Sequence, residues 1–388
     1  MRILYLALDI ELGKASGEAA HVREATRALA AIGEEIHLVV PEIAGKPQKN
    51  PRLAAQGVHL HSVPARGNTS TVLACRRLVK NLHPDVIYER RYSPKIGAAV
   101  SVATGVPLVV EVNGLADVES ATLRKVRGTA RPRTLRSALR RRFYARASYV
   151  VAVDSGIAKE LHERYGVPTE RIVVVANGAD VDRFAPQDPV AARRQIGLPP
   201  SVPVVGFVGT LEPWQGLGAL VRAAPEVLAS VPETRFLIVG DGPVRSEIET
   251  AVRTAGCAGA FQFTGLVEHE RVPLYLAASD VCLSLRDIEL QVVRYGYSPL
   301  KLYEYLASGR AVVATPAEGL EFLKEEGCGV FVDLKDPKAL ATTISDLLLD
   351  APRRKAMGER GRAIAVRQFS WQAVAGRLVA VMRRAVRG

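Results

Sequence analysis

Short apolar runs alternate with amphipathic stretches along the whole chain. In the first half the apolar runs predict strands at residues 3–8, 36–40, 59–63, 86–88, 108–112, 149–153 and 172–175. In the second half they predict strands at residues 204–208, 235–239, 261–264, 281–284, 311–314 and 330–332. Helical patterns such as 18–31 and 156–165 separate them. This alternation predicts an α/β fold in which parallel sheets carry helices on both faces.

The chain has 388 residues, more than one hydrophobic core usually holds, so two domains are expected. Residues 177–202 are rich in proline and polar residues, which predicts a linker there. The first domain would then span residues 1–176 and the second residues 203–368. The tail 369–388 has apolar residues at helical spacing, and we expect it to pack back on the first domain as a helix.

Residues 297–315 predict a short helix followed by a buried strand. Ser298 suits the N-cap of this helix, Pro299 its first turn and Gly309 its end. The helix would therefore begin at the edge of a parallel sheet, where ligands bind in such folds.

Lys301 and Glu304 give this helix its predicted chemistry. The first-turn amides, the positive dipole end and the Lys301 ammonium together suit a phosphate group. Glu304 lies one turn deeper on the same face, where a carboxylate suits neutral hydroxyls such as those of a ribose. Phosphate and ribose at this spacing describe a nucleotide diphosphate. The alternative is an ordinary capped helix with a surface Lys–Glu pair.

Glycine-rich turns follow several of the predicted strands. Gly13 and Gly17 follow the first strand without forming a dinucleotide fingerprint. In the second half, similar turns cover residues 209–216, 240–243 and 264–267. Packing alone does not readily explain three such turns in succession, so we expect a ligand to approach their backbone.

Cysteine spacing and the length of the apolar runs exclude several classes of protein. The four cysteines are scattered and form no C-x-x-C pair, which argues against a disulfide framework or a zinc site. No run approaches the roughly 18 apolar residues that a membrane-spanning helix needs. A cytoplasmic protein is therefore expected, with peripheral attachment to the inner face of the cell membrane as a further option.

The net charge of +12 is concentrated in one segment. There is no acidic residue between Glu119 and Asp154, and ten arginines and lysines lie there, from Arg124 to Arg146. Such a segment would attract an anionic acceptor or an anionic membrane surface. Nucleic acid is not expected, because aromatic residues hardly interleave with the charges. The alternative is an ordinary solvated helix.

Five motifs in this order resemble those of the family-4 retaining glycosyltransferases. They are N-G-x-D-x-x-x-F at 177–184, G-x-L-x-x-W-x-G at 209–216, V-G-D-G-P at 239–243, F-T-G-x-V at 263–267 and S-P-L-K-L-x-E-Y at 298–305. The resemblance spans nearly the whole chain. It implies the GT-B architecture of two facing Rossmann-like domains, the first binding the acceptor and the second the donor.

The resemblance implies transfer of a hexose from a nucleotide-diphosphate sugar to a glycan, lipid-linked or small-molecule acceptor. The anomeric configuration would be retained, no metal would be obligatory, and no cofactor besides the donor substrate is expected. Polysaccharide or glycoconjugate biosynthesis is the corresponding role. Two alternatives remain open, namely a sugar-nucleotide-binding protein with weak or lost activity and a sugar-nucleotide epimerase of the same fold.

Individual residues receive roles from the resemblance. Lys301 would be the catalytic cation beside the leaving diphosphate, and Glu304 would hold the ribose. The other donor-binding residues would be Ser298, Pro299, Leu300, Gly209, Thr210, Gly240, Gly242, Gly265 and Val267. Six further residues are expected on the acceptor side or in the cleft. The resemblance indicates some of them, and a position near the end of a strand or the start of a helix indicates the others. They are Gly13, Gly17, His21, Asn113, Glu89 and Arg90.

Two of these groups have simpler alternatives. Glu89, Arg90 and Arg91 follow a predicted strand, where a surface ion pair is the alternative. His21 lies early in a predicted helix, where a surface or half-buried histidine is the alternative.

Several positions depart from the family pattern. Gly296 stands where the family has the first glutamate of its pair, so the usual carboxylate contact to the donor sugar is missing. Asn113 stands where a histidine is common and cannot act as a general acid or base. Asp180 and Asp182 imitate a metal-binding D-x-D, but they lie inside the linker motif, so no metal is expected.

The cations for the diphosphate also differ. Thr210 and Gln215 occupy the positions where the family usually has an arginine and a lysine for phosphate. Lys301, together with Arg294 or Arg286, would then have to supply the positive charge.

Overall fold

The computed structural model describes residues 1–14, 16–64, 68–91, 93–114, 134–287 and 298–388. They form two compact units. The first comprises the described parts of Met1–Asn177 with Ser298 and Trp371–Gly388, and the second comprises the other described residues, from Gly178 to Ser370. Each predicted strand is present, so the α/β class with a parallel sheet in each unit is confirmed.

The first unit is built on a sheet with the strand order β3-β2-β1-β4-β5-β6-β7, in which every pair is parallel. The strands are β1 (Arg2–Leu6), β2 (Glu35–Pro41), β3 (Val58–Val63), β4 (Val86–Arg90), β5 (Leu108–Val112), β6 (Tyr149–Ala152) and β7 (Ile172–Val174). The helices are α1 (Gly17–Ala31), α2 (Pro51–Ala55), α3 (Asn68–Leu82), α4 (Lys95–Thr104), α5 (Thr134–Tyr144) and α6 (Ser155–Tyr165). The strand order reverses between β1 and β4, which is where ligands bind in open parallel sheets.

The second unit is built on a sheet with the strand order β10-β9-β8-β11-β12-β13, again parallel throughout. The strands are β8 (Val204–Val208), β9 (Arg235–Val239), β10 (Phe261–Gly265), β11 (Val281–Ser284), β12 (Ala311–Ala314) and β13 (Gly329–Phe331). The helices are α7 (Pro189–Gln195), α8 (Leu217–Ser230), α9 (Arg245–Thr254), α10 (Val272–Ala278), α11 (Leu300–Ala307), α12 (Phe322–Glu325), α13 (Pro337–Leu349) and α14 (Ala351–Ile364). Here the order reverses between β8 and β11.

The last helix, α15 (Trp371–Arg387), belongs to the first unit although it follows the second along the chain. Its apolar residues Trp371, Val374, Leu378 and Val381 are all buried. Arg383 on its outer side forms an ion pair with Glu34 at 3.1 Å. None of the described helices is long and apolar enough to cross a membrane.

The segment that its composition marked as a linker is structured and belongs to the second unit. Asp188 caps α7 by accepting from the Val190 amide at 2.8 Å, and the proline that follows it fits the first turn. Ala192 and Leu198 pack in an apolar cluster with Val204 and other residues of this unit. The second unit therefore begins at Gly178 rather than at residue 203.

The glycine-rich turns of the second unit pack against one another through their backbones. The Gly240 amide donates to the Gly265 carbonyl, and the Gly209 amide donates to the Val239 carbonyl, both at 2.9 Å. A Cβ at Gly240, where φ is +130°, would lie 2.0 Å from the Gly209 carbonyl oxygen. A Cβ at Gly242 would lie 2.4 Å from a backbone oxygen. Backbone packing therefore requires glycine at these two positions, and whether a donor also approaches them stays a prediction.

We predict that Gly240→Ala destabilises the second unit by about 3 kcal/mol or more, because the methyl group overlaps a backbone oxygen and φ is unfavourable. Urea unfolding followed by Trp214 fluorescence, in a Trp371→Phe background, measures the free energy of unfolding of that unit. Gly259→Ala is the control, since its Cβ would meet no atom within 4 Å. Equal stability of the two variants would contradict the packing described.

Candidate functional site

The N-terminus of α11 in the second unit is formed differently from the prediction. Pro299 occupies the N-cap and makes no side-chain cap bond. The Ser298 hydroxyl accepts from the Asn177 amide at 3.1 Å, and the Asn177 side chain donates to the Ser298 carbonyl at 2.6 Å. The prediction that Ser298 caps the helix is therefore wrong, because the helix begins at Leu300 with Pro299 at the N-cap, and the Ser298 hydroxyl accepts from Asn177 instead. Within the described part of the chain, no side chain caps the first turn, which begins at Leu300.

Lys301 is buried in the first turn of α11, with 8% of its surface exposed. Its Nζ donates to Gln215 Oε1 and lies 4.1 Å from the centroid of the Phe207 ring. Burial lowers the pKa of this lysine to about 7. Gln215, which replaces the usual family cation, therefore supports Lys301 instead of adding a second charge.

Glu304 lies one turn further along α11, with 13% of its side chain exposed. Its Oε1 lies 3.2 Å from His269 Nε2, so the carboxylate is engaged by a histidine while Lys301 is engaged by Gln215. Among the described residues, Lys301 and Glu304 therefore do not form the surface ion pair that was the alternative. His269 was not singled out from the sequence, because nothing in its local pattern connects it to residue 304.

Turns of the second unit contain most of the other predicted donor-binding residues. A Cβ at Gly209 would lie 3.6 Å from Lys301 Nζ, so this glycine borders the ammonium directly. Thr210 is exposed, and Gly265 adopts a φ of +71°. Val267 is half-buried and packs on the apolar cluster around Val204. Whether these residues contact a donor stays a prediction.

Arg286 and Arg294 were the additional cations suggested by the sequence, and the structure describes only the first of them. Arg286 is buried just after β11, with 8% of its surface exposed. Arg294 and Gly296 lie outside the described residues. Lys301 is the predicted cation that belongs to the first turn of α11 itself.

A second group of polar side chains lies in the first unit. Glu111, near the end of β5, has its Oε1 2.8 Å from His21 Nε2, and its Oε2 accepts from the Tyr88 hydroxyl at 2.5 Å. Arg90 Nε lies 3.8 Å from the same carboxylate. Burial alone would raise the Glu111 pKa, but His21, Arg90 and the Tyr88 hydroxyl outweigh it and lower the pKa to about 2. The structure thus brings His21 and Arg90 together through Glu111, a residue that the sequence pattern marks only as part of a strand.

His21 is buried, with its ring edge-on to Trp371 at a centroid distance of 5.2 Å, so the alternative of a surface histidine is wrong. Asn113 directly follows β5, and its Oδ1 is buried without a partner in the described part of the chain. Gly17 is the first residue of α1, and a Cβ at Gly13 would meet no atom within 4 Å. The loop after β1 therefore leaves space at Gly13.

Glu89 is not part of a surface ion pair. β4 extends to Arg90, so both residues are inside the strand and buried. Glu89 Oε2 accepts from the Gly97 amide at 2.9 Å, and burial raises the pKa of this carboxyl to about 8. Of Glu89, Arg90 and Arg91, the alternative of a surface ion pair fits Arg91, whose Nε lies 3.6 Å from Asp9 Oδ2. The contact with Gly97 gives Glu89 a structural role between β4 and α4.

Asp180, one of the two residues of the D-x-D pattern, stabilises a turn. Its Oδ1 accepts from the Arg183 amide at 3.1 Å, and its Oδ2 lies 3.7 Å from the Arg183 guanidinium. Across the described residues, no group of three or more histidine, cysteine or acidic side chains is arranged to hold a metal ion.

Two family models match the chain. Residues 15–183 match the model described as Glycosyltransferase Family 4, and residues 202–350 match the model described as Glycosyl transferases group 1. Together the two models extend over both units.

Two curated relatives, both named as D-inositol 3-phosphate glycosyltransferases, match along most of the chain. D-inositol 3-phosphate glycosyltransferase 2 of Catenulispora acidiphila is 29% identical over 96% of this chain and 91% of its own. D-inositol 3-phosphate glycosyltransferase of Thermobispora bispora is 31% identical over 78% of this chain and 71% of its own.

Solved structures share the fold at lower identity. Anabaena Alr3699/HepE in complex with UDP has a TM-score of 0.79 and 18% identity, covering 99% of this chain and 100% of its own. A glycosyltransferase from Rickettsia africae has a TM-score of 0.77 and 16% identity, covering 100% of this chain and 99% of its own. Both alignments therefore include the two units described above.

We predict that the lowered pKa of Lys301 makes the second unit more stable as pH rises from 7 to 9. Between the folded pKa of about 7 and the usual 10.5, the unfolded chain binds more protons, so the free energy of unfolding rises with pH. Relative to Lys301→Met, the gain should be about 2 kcal/mol. Urea unfolding followed by Trp214 fluorescence at both pH values, in the Trp371→Phe background, measures it. An identical pH dependence in both proteins would contradict the burial of the ammonium.

Proposed function

The chain belongs to glycosyltransferase family 4 and is a glycosyltransferase, and on this premise we propose that it transfers a hexose from a nucleotide-diphosphate sugar with retention of configuration. The observation that carries the proposal is the α11 N-terminus, where Lys301 and Glu304 lie one turn apart. In this proposal, Lys301 and the first-turn amides bind the diphosphate. Glu304 binds the ribose hydroxyls.

The proposed donor is a uridine diphosphate sugar, with UDP-glucose as the first to test. Structures of Anabaena Alr3699/HepE were determined with UDP and with UDP-glucose, which supports this choice. The turn at Gly265 and Val267 would border the base. Because Lys301 has a pKa of about 7, a bound diphosphate would draw a proton onto it and so strengthen its own binding site.

The proposed acceptor is a small phosphorylated polyol bound by the first unit. The names of the relatives make inositol phosphate the first compound to test. The buried group of His21, Arg90 and Glu111 offers both donors and an acceptor for hydroxyl groups. Glu111 remains ionised throughout the physiological pH range, since its pKa is about 2.

The proposed mechanism needs no protein nucleophile and no metal. The acceptor hydroxyl attacks the anomeric carbon on the face that the diphosphate leaves, and the leaving phosphate oxygen takes the hydroxyl proton. Negative charge grows on the diphosphate in the transition state, where the Lys301 ammonium and the amides of α11 stabilise it. The protein therefore acts by electrostatic stabilisation and by positioning.

Incubation with UDP-glucose and inositol phosphate in the presence of EDTA should release UDP and form an α-glucoside. Proton NMR of the anomeric signal distinguishes retention from inversion. A β-glucoside would contradict the proposed mechanism, and activity that EDTA abolishes and magnesium restores would contradict metal independence. UDP binding without any turnover would favour the sugar-nucleotide-binding alternative, and conversion of the sugar without an acceptor would favour an epimerase.

We predict that Lys301→Ala lowers kcat by about 100-fold or more while changing the donor Kd less, because the ammonium acts most strongly on the charge of the transition state. Steady-state kinetics and calorimetry with UDP-glucose measure the two effects. Lys338→Ala, an exposed lysine of the same unit, is the control. A kcat within a few-fold of wild type would assign the catalytic cation elsewhere, and Arg286 and Arg294 would be tested next.

We propose that the basic segment from Arg124 to Arg146 attracts an anionic membrane surface or an anionic acceptor. Residues 124–133 lie outside the described part, but Arg142 and Arg146 are exposed. Arg141 instead donates to the Arg164 carbonyl, so the test leaves it intact. Each arginine near an anionic surface contributes about 1 kcal/mol, and salt screens the effect.

Arg142→Glu with Arg146→Glu should therefore reduce sedimentation with phosphatidylglycerol vesicles at low salt, or raise the acceptor KM, with unchanged donor binding. Arg76→Glu with Arg77→Glu on the exposed side of α3 is the matched control. If the wild type ignores the vesicles and the first variant turns over acceptor normally, the segment is a solvated surface.

A further inference from the structure

We propose that His269 is a positioning residue for the donor, an inference that rests on the proposed function of Glu304. In this view His269 holds the Glu304 carboxylate in the orientation that receives the ribose. Its contacts, and not its local sequence, carry the proposal. Nε2 lies 3.2 Å from Glu304 Oε1, and Nδ1 lies 3.1 Å from Arg183 Nη1.

The partner on Nδ1 fixes the direction of the hydrogen bonds. A guanidinium has only donors, so Arg183 donates and Nδ1 of His269 accepts. The imidazole hydrogen is then on Nε2, where it donates to the Glu304 carboxylate. Arg183, His269 and Glu304 thus form a chain in which each group donates to the next. The reverse tautomer would leave two acceptors facing each other at Glu304.

The first members of this chain are held by the N-G-x-D-x-x-x-F segment. Asp180 accepts from the Arg183 amide at 3.1 Å and lies 3.7 Å from its guanidinium. Phe184 is buried and packs edge-on against the His269 ring at a centroid distance of 5.7 Å. Two residues of the motif therefore support the imidazole. Phe184 packs against the ring, and Arg183 donates to its Nδ1.

A ligand would use the hydrogen-bonding capacity of Glu304 that His269 leaves available. One carboxylate oxygen is engaged by His269, and the side chain is 13% exposed. A carboxylate that is free to rotate loses rotamer freedom when it binds a hydroxyl pair, whereas one that is already oriented loses less. Removal of the His269 hydrogen bond should therefore weaken nucleotide binding without removing any direct ligand contact.

Two substitutions separate the two ends of the imidazole. The amide of His269→Gln reaches the place of Nε2 and can donate to Glu304, whereas the amide of His269→Asn reaches only the place of Nδ1 on the Arg183 side. We expect the UDP Kd of the full chain, measured by calorimetry, to rise about tenfold in the asparagine variant and to stay within about twofold in the glutamine variant. Donor KM should follow Kd, with a smaller change in kcat.

Equal UDP affinity of the two variants, or weaker binding by the glutamine variant, would overturn the positioning role. Glu268→Gln, an exposed neighbour on the same turn, is the control and should bind UDP as the wild type does. Melting temperatures of all variants show whether a loss of affinity reflects a loss of folding.

Glu304→Ala separates this inference from the proposed function. If it leaves the UDP Kd unchanged, or if the wild type binds no UDP, the donor site proposed at α11 is wrong, and the role of His269 is wrong with it. If Glu304→Ala weakens UDP binding but His269→Asn does not, only the role of His269 is wrong. In a Glu304→Ala background, His269→Asn should cause no further loss, because the side chain that it orients is gone.

Discussion

The candidate donor site depends on the burial of one ammonium group, that of Lys301, in the first turn of α11. A buried charge is costly unless a partner compensates it, and here the immediate partners are the neutral Gln215 amide and the Phe207 ring. The group therefore resists full protonation, and its pKa falls to about 7. An anionic ligand would supply the missing compensation. The same desolvation that lowers the Lys301 pKa in the free protein would therefore favour the binding of a diphosphate.

The surroundings of Lys301 are built to keep that ammonium in place. Gly209 lies beside the ammonium in the turn after β8, and Gly240 permits the turn after β9 to lie directly against the Gly209 carbonyl. Further along α11, Glu304 is held by His269 rather than by the lysine of its own helix. The Lys301 ammonium and the Glu304 carboxylate therefore have separate partners, Gln215 and His269. This separation leaves each of them available for a different part of a nucleotide.

Elements that depend on local pattern followed from the sequence, and contacts between distant segments did not. Most strands were predicted because a buried parallel strand is a continuous apolar run between turn signals. Ser298 fits the local rule for an N-cap, but Asn177, which is 121 residues away in sequence, engages its hydroxyl. Glu89 looked exposed because it is charged, yet β4 continues through it and the Gly97 amide satisfies it. Glu111 and His269 carry no local signal, since their partners come from other elements.

The central claim is that a diphosphate binds over the buried Lys301 ammonium. Calorimetric titration of the protein with UDP at pH 8.5, in buffers of different ionisation enthalpy, measures the number of protons taken up on binding. At this pH the free protein holds Lys301 mostly neutral, since its pKa is about 7. The account predicts an uptake of about one proton by the wild type and almost none by Lys301→Met. UDP binding with no proton uptake by the wild type, or with equal uptake by both proteins, would contradict it.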